Sequence, residues 1–328
     1  MRLGFDVGGT KTDAVIVAPS GEIVARVRRT TGWGADGVVA TIVQVADELV
    51  ALAGASRADI TSIGVGMPGQ VAPGTARVAH AVNLGIAELD VAAALRSAFR
   101  APVRAENDVK AAALGAFALH GAPRPQGAAA AQGSPGAYGT DPGVSMAYLN
   151  LGTGVAAGFV KDGVLWRGER GTAGEVGHIS IDPAGPLCRC GQRGCIEAFC
   201  GGASVARQWG LPADLPARDV FDAADAGDPR AAGLRRGLAF GVAAAVRVLV
   251  LTADVETVVL GGGLTGLGDR MLGPVVSELE ASAAASAFLR SLRLAERVDL
   301  LPPGSPAAAL GASLIGAAAQ EQEAVAHG

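Results

Sequence analysis

The chain has 328 residues, half of them apolar and 18% charged, and Lys+Arg 27 against Asp+Glu 31 gives a net charge of -4. This length suggests two domains with sizeable cores and excludes a disulfide-stapled miniature scaffold. The acidic balance supplies no basic field for a phosphate backbone, so nucleic acid is not expected as a partner.

The first residues, Met1 to Asp6, reach an acid and a glycine pair before any apolar run can form. No secretory leader is read there, and a cytoplasmic location is expected. From Leu3 to Val27 the pattern is strand, glycine turn, strand, turn at Pro19-Ser20-Gly21, strand. Gly37 to Ala53 has apolar residues at helical spacing (Val38, Ile42, Val45, Leu49, Leu52) and ends at Gly54. A buried strand at Ser62 to Val65 runs into Gly66-Met67-Pro68-Gly69; a helix at Val91 to Phe99, a strand at Val103 to Ala105 and a helix from Asp108 to His120 follow. This is an α/β domain with a mixed sheet.

Residues 126–143 are Ala, Gly, Pro and Ser without periodicity and read as an exposed, flexible insertion. The strand, Gly-Thr turn, strand, turn, strand pattern then recurs through Tyr148 to Trp166. A duplication about 145 residues apart suggests two related lobes facing one cleft. A helix at Arg235 to Leu251 and a strand at Thr257 to Leu260 lead to Gly261-Gly262-Gly263, and an Ala-rich helix at Pro306 to Glu323 is expected to pack back on the first lobe. The longest charge-free runs, Pro142 to Val160 and Leu300 to Gln320, are broken by Asn and clustered Gly or by prolines, so no membrane span is expected.

Glycine is the compositional outlier: 48 residues, about twice the usual ~7%, without a collagen period. Tight turns or close backbone approaches to a ligand are implied. In Asp6-Val7-Gly8-Gly9-Thr10-Lys11-Thr12 an acid at a strand end precedes a turn whose N–H groups suit phosphate, with Asp6 placed to hold Mg²⁺ through water; a plain hairpin turn is the alternative. The echo at Gly152, Thr153 and Gly154 and the glycines Gly261, Gly262 and Gly263 favour phosphate clamping from both lobes, with the nucleoside beside the last three. Gly64 to Gly69 fits G-x-G-x-x-G by letter, but Pro68 leaves no helix to receive a pyrophosphate, and no P-loop pattern occurs.

All four cysteines lie between Cys188 and Cys200, a spacing that suits a metal in a reducing compartment. His178, Cys188, Cys190 and Cys195 form a closed set for structural Zn²⁺, with Cys200 left over as a core thiol. Asp108 in Glu106-Asn107-Asp108 sits where a strand ends and a helix begins, either as an N-cap or as a base toward a hydroxyl nucleophile. Glu175 and Glu197 flank the cysteine loop, suited to vicinal hydroxyls or simply solvated.

Together these stretches, with Gly66-Met67-Pro68-Gly69, Asn83-Leu84, Ala111 to Gly115 and Gly174-Glu175-Val176-Gly177-His178, resemble the ROK family of bacterial sugar kinases over almost the whole chain, in order. The resemblance implies the actin-like ATPase, hexokinase-type (ribonuclease H-like) fold with two lobes flanking a cleft. The lobes expected are residues 1–108 plus 306–328, and a larger lobe of residues 109–305 that carries the zinc loop 178–195. It implies transfer from Mg-ATP to the 6-hydroxyl of a hexose, with Asp108 as base and Gly66, Asn83, Asn107, Asp108, Glu175, His178 and Glu197 on the sugar. A homodimer through the larger lobe is implied too.

Glucose is the acceptor expected; N-acetylglucosamine or N-acetylmannosamine is the closer rival, and a non-catalytic sugar-binding regulator the more distant one. The chain departs from the family pattern at Gly85-Ile86, where an aromatic is usual, at Lys110, where Asn is usual, and at Ala156-Ala157 in place of glycines.

Overall fold

The computed structural model describes residues 1–72, 74–120, 144–211 and 216–326, with side chains up to residue 317. The expected insertion at 126–143 lies outside the described residues. By packing the chain forms two units: Met1–Val144, Val160–Thr172 and Pro306–Gly328 in the first, Ser145–Phe159 and Ala173–Ser305 in the second.

The first unit opens with β1 (Arg2–Val7), β2 (Lys11–Val17) and β3 (Ile23–Thr30), an antiparallel meander, followed by α1 (Gly34–Leu52). β4 (Ser62–Met67) then adds in parallel to β1. A small antiparallel sheet of β5 (Gln70–Val71), β6 (Arg77–Ala81) and β7 (Ile86–Asp90) comes next, then α2 (Val91–Leu95), β8 (Val103–Asn107) parallel to β4, and α3 (Asp108–His120). The main sheet has the order β3-β2-β1-β4-β8. Period-two alternation splits the strands between two cores. Leu3, Phe5, Ala14 and Ile16 face Val38, Ile42, Val45 and Leu49 of α1, whereas Val15 and Val17 meet Ala309 and Leu310.

The second unit is built on β9 (Ser145–Leu151) and β10 (Val155–Lys161), with β12 (Thr257–Gly261) parallel to β9 and β13 (Val298–Leu300) parallel to β12, whereas β11 (Val164–Trp166) falls in the stretch grouped with the first unit. The helices α4 (Ile196–Cys200), α5 (Gly202–Trp209), α6 (Pro216–Asp225) and α7 (Pro229–Ala253) precede β12 (Thr257–Gly261). α8 (Asp269–Ala284), α9 (Ala287–Leu292) and β13 (Val298–Leu300) complete the unit. Asp228 caps α7 by accepting from the Ala231 N–H at 2.9 Å, with Pro229 at the first helical position, so this helix begins earlier than Arg235. By length and composition α7 is apolar enough to cross a membrane, yet Leu238, Val242, Val246 and Leu249 are buried in the core of the second unit.

α10 (Ala307–Ala326) closes the first unit, packing on β1, β4 and α3. It lies so near that a Cβ on Gly4 would come within 2.0 Å of the Ala309 carbonyl, one on Gly64 within 1.7 Å of Ala312, and one on Gly115 within 1.8 Å of Ala307. The same packing corrects the expected boundary at residue 108. α3 belongs to the first unit because its Gly115 and Ala111 meet the backbone of α10 directly. Two further differences are local: α2 stops at Leu95, short of Phe99, and the sheet β5-β6-β7 was not foreseen, since Gln70 to Asp90 carries no clean alternation and bends at His80, φ 56.

Filling the contact is expected to be costly. Gly64→Val should lower unfolding stability by about 2 kcal/mol or more, read from urea denaturation, whereas Gly266→Ala, which meets open space, should change it little.

Candidate active site

The candidate residues fall into two clusters, one in each unit. In the first unit the sheet register sets the arrangement: Asp6 pairs with Gly66 across β1 and β4, and Gly66 with Glu106 across β4 and β8. The strand ends bearing Asp6, Gly66 and Asn107 therefore lie side by side, and Asp108 opens α3 next to them. A Cβ on Gly66 would sit 3.2 Å from that of Ala111 and 3.6 Å from the Cα of Asp108, so the missing side chain leaves room over the acid. The Gly8 to Lys11 turn is closed by the Gly8 N–H donating to the Lys11 carbonyl at 3.0 Å. Gly9 packs against Asn83, whose carbonyl a Cβ would meet at 2.7 Å, which brings Asn83 to the same turn.

Two carboxylates here behave differently. Burial, then the charges of Asp108 and Asp13, push Asp6 up to about 7, against the opposing pull of Lys11 and Arg28. Burial also acts to raise Asp13, but hydrogen bonds and charge from Arg26 and Arg28 outweigh it and hold the carboxyl below its ordinary range. Arg26 Nε reaches Asp13 at 2.8 Å and Arg28 Nη2 at 2.5 Å. Asp6 is thus the carboxyl whose ionisation the cluster opposes, and a hard cation with oxygen ligands would offset that opposition.

Asn107 caps α3, its Oδ1 accepting from the N–H groups of Val109 at 3.2 Å and Lys110 at 3.3 Å, while Asp108 Oδ1 shares the Val109 N–H at 2.9 Å. Its amide donates to the Gly69 carbonyl at 3.4 Å. Much of its hydrogen-bonding capacity is therefore spent on holding the strand-to-helix turn that presents Asp108. Two contacts invisible in the sequence brace the same turn. Buried Glu106 accepts from Arg167 Nε at 2.6 Å, and Lys110, 5% exposed, donates to the Gly171 carbonyl at 2.6 Å. Both tie the segment after β11 to the base of α3. Nothing local in the sequence pairs these positions.

In the second unit, the turn Gly152-Thr153-Gly154 joins β9 to β10. Its carbonyls are taken by the start of α5: the Gly202 N–H donates to Gly152 at 2.9 Å and the Ala203 N–H to Thr153 at 3.0 Å. Glu197 Oε2 accepts from the Val155 N–H at 3.0 Å, and a Cβ on Gly154 would fall 2.6 Å from that oxygen. Glu197 is thereby bound to the turn through one oxygen. Gly174 and Gly177 pack on the β10 carbonyls of Ala157 and Val155, which seats exposed Glu175 and His178 beside the strand. Gly261 lies on the Tyr148 ring and Gly262, φ 91, on Leu151, so β12 ends against the strand that feeds the Gly152 turn.

The cysteine loop folds as a small hairpin. The Cys188 N–H donates to Gln192 at 2.8 Å, and Gly194, φ 67, packs where any Cβ would collide with Asp182. His178, Cys188, Cys190 and Cys195 converge with all ligand atoms within 4.8 Å of one another. Cys190 and Cys195 sulfurs are 3.6 Å apart, and Cys188 Sγ lies 3.9 Å from His178 Nδ1. A tetrahedral zinc with Zn–S near 2.3 Å would space its ligands by roughly 3.3–3.8 Å, so the donor set and its spacing fit that ion. Cys200 is buried within α4, donating to the Ile196 carbonyl at 3.3 Å, and stands outside the set.

The raised Asp6 has a stability consequence. An acid whose folded value exceeds its unfolded one favours the protonated native state, so stability falls as pH rises from about 4 toward 7. Asp6→Asn should remove that slope: its melting temperature relative to wild type should climb across this window by differential scanning fluorimetry.

The sequence pattern described as the ROK family matches residues 2–125 and 134–319. A glucokinase of Halalkalibacterium halodurans is 32% identical over 86% of this chain and 86% of its own length. An N-acetylmannosamine kinase of Yersinia pseudotuberculosis is 31% identical over 80% of this chain and 82% of its own. Among solved structures, a ROK family glucokinase from Streptomyces griseus in complex with glucose and AMPPNP is 26% identical, with a TM-score of 0.71 over 97% of this chain and 99% of that one. The fold is thus that of the ROK hexokinases, the actin-like ATPase fold. On the match along nearly its full length and the paired glycine turns, acid cluster and cysteine loop just described, the chain belongs to the ROK family.

Proposed function

We propose that this protein is a sugar kinase that transfers the γ-phosphoryl group of ATP to the 6-hydroxyl of a hexose, with glucose as the acceptor. The observation that carries the reading is the placement of Asp108 at the first turn of α3, its charge felt by the desolvated Asp6 beside an N–H-rich glycine turn. In this reading the 6-hydroxyl lies against Asp108. As its oxygen bonds to the γ-phosphorus, the bond from phosphorus to the bridging oxygen breaks. The electron pair leaves with ADP, and the hydroxyl proton passes to an Asp108 oxygen. Deprotonation comes late in a loose transition state, so an ionised, well-oriented carboxylate suffices.

The turn residues Gly8 to Thr12 and Gly152 to Gly154 are assigned to the phosphates, and Gly261 to Gly263 to the nucleoside. Mg²⁺, when bound, draws charge from the phosphate oxygens; Asp6 is the residue to hold it through water. Gly66, Asn83, Asn107, Glu175, His178 and Glu197 are assigned to the sugar. For Asn107 and Glu197 only the hydrogen-bonding capacity not already used on the backbone serves. His178 turns Nδ1 toward the sulfurs, which leaves Nε2 for a hydroxyl. Zn²⁺ on the four-residue set is assigned a structural part, fixing the loop that bears these groups. A cytoplasmic homodimer joined through the lobe with the cysteine loop completes the reading. An N-acetylhexosamine acceptor is the second reading, favoured by the Yersinia relative at nearly the same identity.

ADP release with Mg-ATP, measured over glucose, mannose, fructose, N-acetylglucosamine, N-acetylmannosamine and no sugar, tests the reading. Glucose-dependent release is expected, and Asp108→Asn should lower kcat by about 10²-fold or more while glucose binding persists by calorimetry. Release equal to the no-sugar control for every sugar, with binding retained, would point instead to a sensor. Metal analysis should find one zinc per chain, and Cys195→Ser should lose it and raise the sugar KM.

A further inference from the structure

Trp33 is one of three tryptophans in the chain. It is 72% exposed, the most exposed aromatic side chain among the described residues. An isolated surface aromatic is ordinarily unremarkable, but this one is held in a built position. Gly85 is in the left-handed region, φ 69, and lies under the indole: a Cβ there would come within 2.5 Å of Cε2 and 2.7 Å of Nε1. The absence of that Cβ is what allows the ring to rest on the backbone. Gly85 directly caps the short turn Val82–Leu84, which contains Asn83.

The backbone leading into Trp33 is equally fixed. The Thr31 N–H donates to the Thr10 carbonyl at 3.1 Å, and the Thr31 and Thr12 hydroxyls lie 2.9 Å apart. The Gly32 N–H donates to Thr41 Oγ1 at 3.0 Å. Gly9, in turn, abuts the Asn83 carbonyl. Trp33 therefore stands on the rim shared by the glycine turn at Gly8 to Thr12 and the Asn83 turn, one edge covered by Gly85 and most of its surface open.

A rigid indole with an open face beside polar turn groups suits a pyranose: its C–H face packs on the π surface, while hydroxyls point to neighbouring donors and acceptors. We infer that Trp33 stacks on the acceptor sugar and is a specificity-determining residue for it. This rests on the sugar-kinase reading above. A flat ring platform favours an acceptor with an unbroken axial C–H face, so the residue sets discrimination between epimers, not the chemistry of transfer.

The test uses full-length protein, in steady-state kinetics and in tryptophan fluorescence. Trp33→Ala should raise the KM of the preferred sugar about tenfold and narrow its preference over epimers, with kcat at saturating sugar and the KM for ATP little changed; Trp33→Phe should recover most of the affinity. Sugar titration should shift the emission of wild type and of Trp166→Phe, and should leave that of Trp33→Phe unmoved, since Trp209 is 5% exposed under Arg230. Unchanged KM and preference in Trp33→Ala, or a persisting emission shift in Trp33→Phe, overturns the assignment while wild-type turnover keeps the kinase reading. If wild type itself releases no ADP with any sugar and binds none, the kinase reading fails and the Trp33 assignment falls with it.

Discussion

The close approach of α10 to β1, β4 and α3 sets the geometry on which the first cluster depends. Gly4, Gly64 and Gly115 each meet a carbonyl of that helix at a distance no Cβ tolerates, so the packing is backbone on backbone. α3 and the sheet are thereby referred to one common helix, with little slack for either to slide. Parallel register then carries Asp6, Gly66 and Glu106 into one row, with Asp108 a residue beyond the end of β8. A side chain at any of these glycines would move the acid relative to the glycine turn. That constraint also explains part of the unusual glycine content.

The charge pattern built on this frame is unfavourable for the protein alone. Asp6 loses hydration and faces Asp108 and Asp13, and Asp13 is held by Arg26 and Arg28. Carboxylates desolvated as Asp6 is reduce stability near neutral pH. They make sense where a cation and a hydroxyl proton are to be received, which is where perturbed acids gather in enzymes. The bracing is correspondingly heavy: Asn107 caps the helix, Glu106 holds Arg167, and Lys110 holds Gly171. In the second unit Glu197 and the helix α5 do similar work for the Gly152 turn. Substituting a glycine turn for side-chain donors puts the selectivity in backbone placement, which these long-range contacts maintain.

Much of this was legible in sequence because it is local. The Asp6 to Thr12 turn, the start of α3 at Asp108, the Gly152 turn and the four cysteine-loop donors are set by residue types within short windows. What escaped was non-local or irregular. The β5-β6-β7 sheet has too few residues per strand to show alternation, and α3 joins the first unit through contacts with α10, which begins only at Ala307. The side-chain commitments of Asn107 and Glu197 could not be read either, because a residue type names a capacity for hydrogen bonds and not its use. Trp33 and Gly85 illustrate the same limit: each looks unremarkable alone, and only the fold lays one on the other.

The central claim is chemical transfer to a particular oxygen, and product analysis addresses it most directly. Wild-type protein incubated with Mg-ATP and glucose should yield a phosphate monoester whose phosphorus couples to the two protons on carbon 6 in NMR, with 6-deoxyglucose giving no product. Phosphorus on the anomeric oxygen, or ATP lost only to inorganic phosphate, would contradict the account.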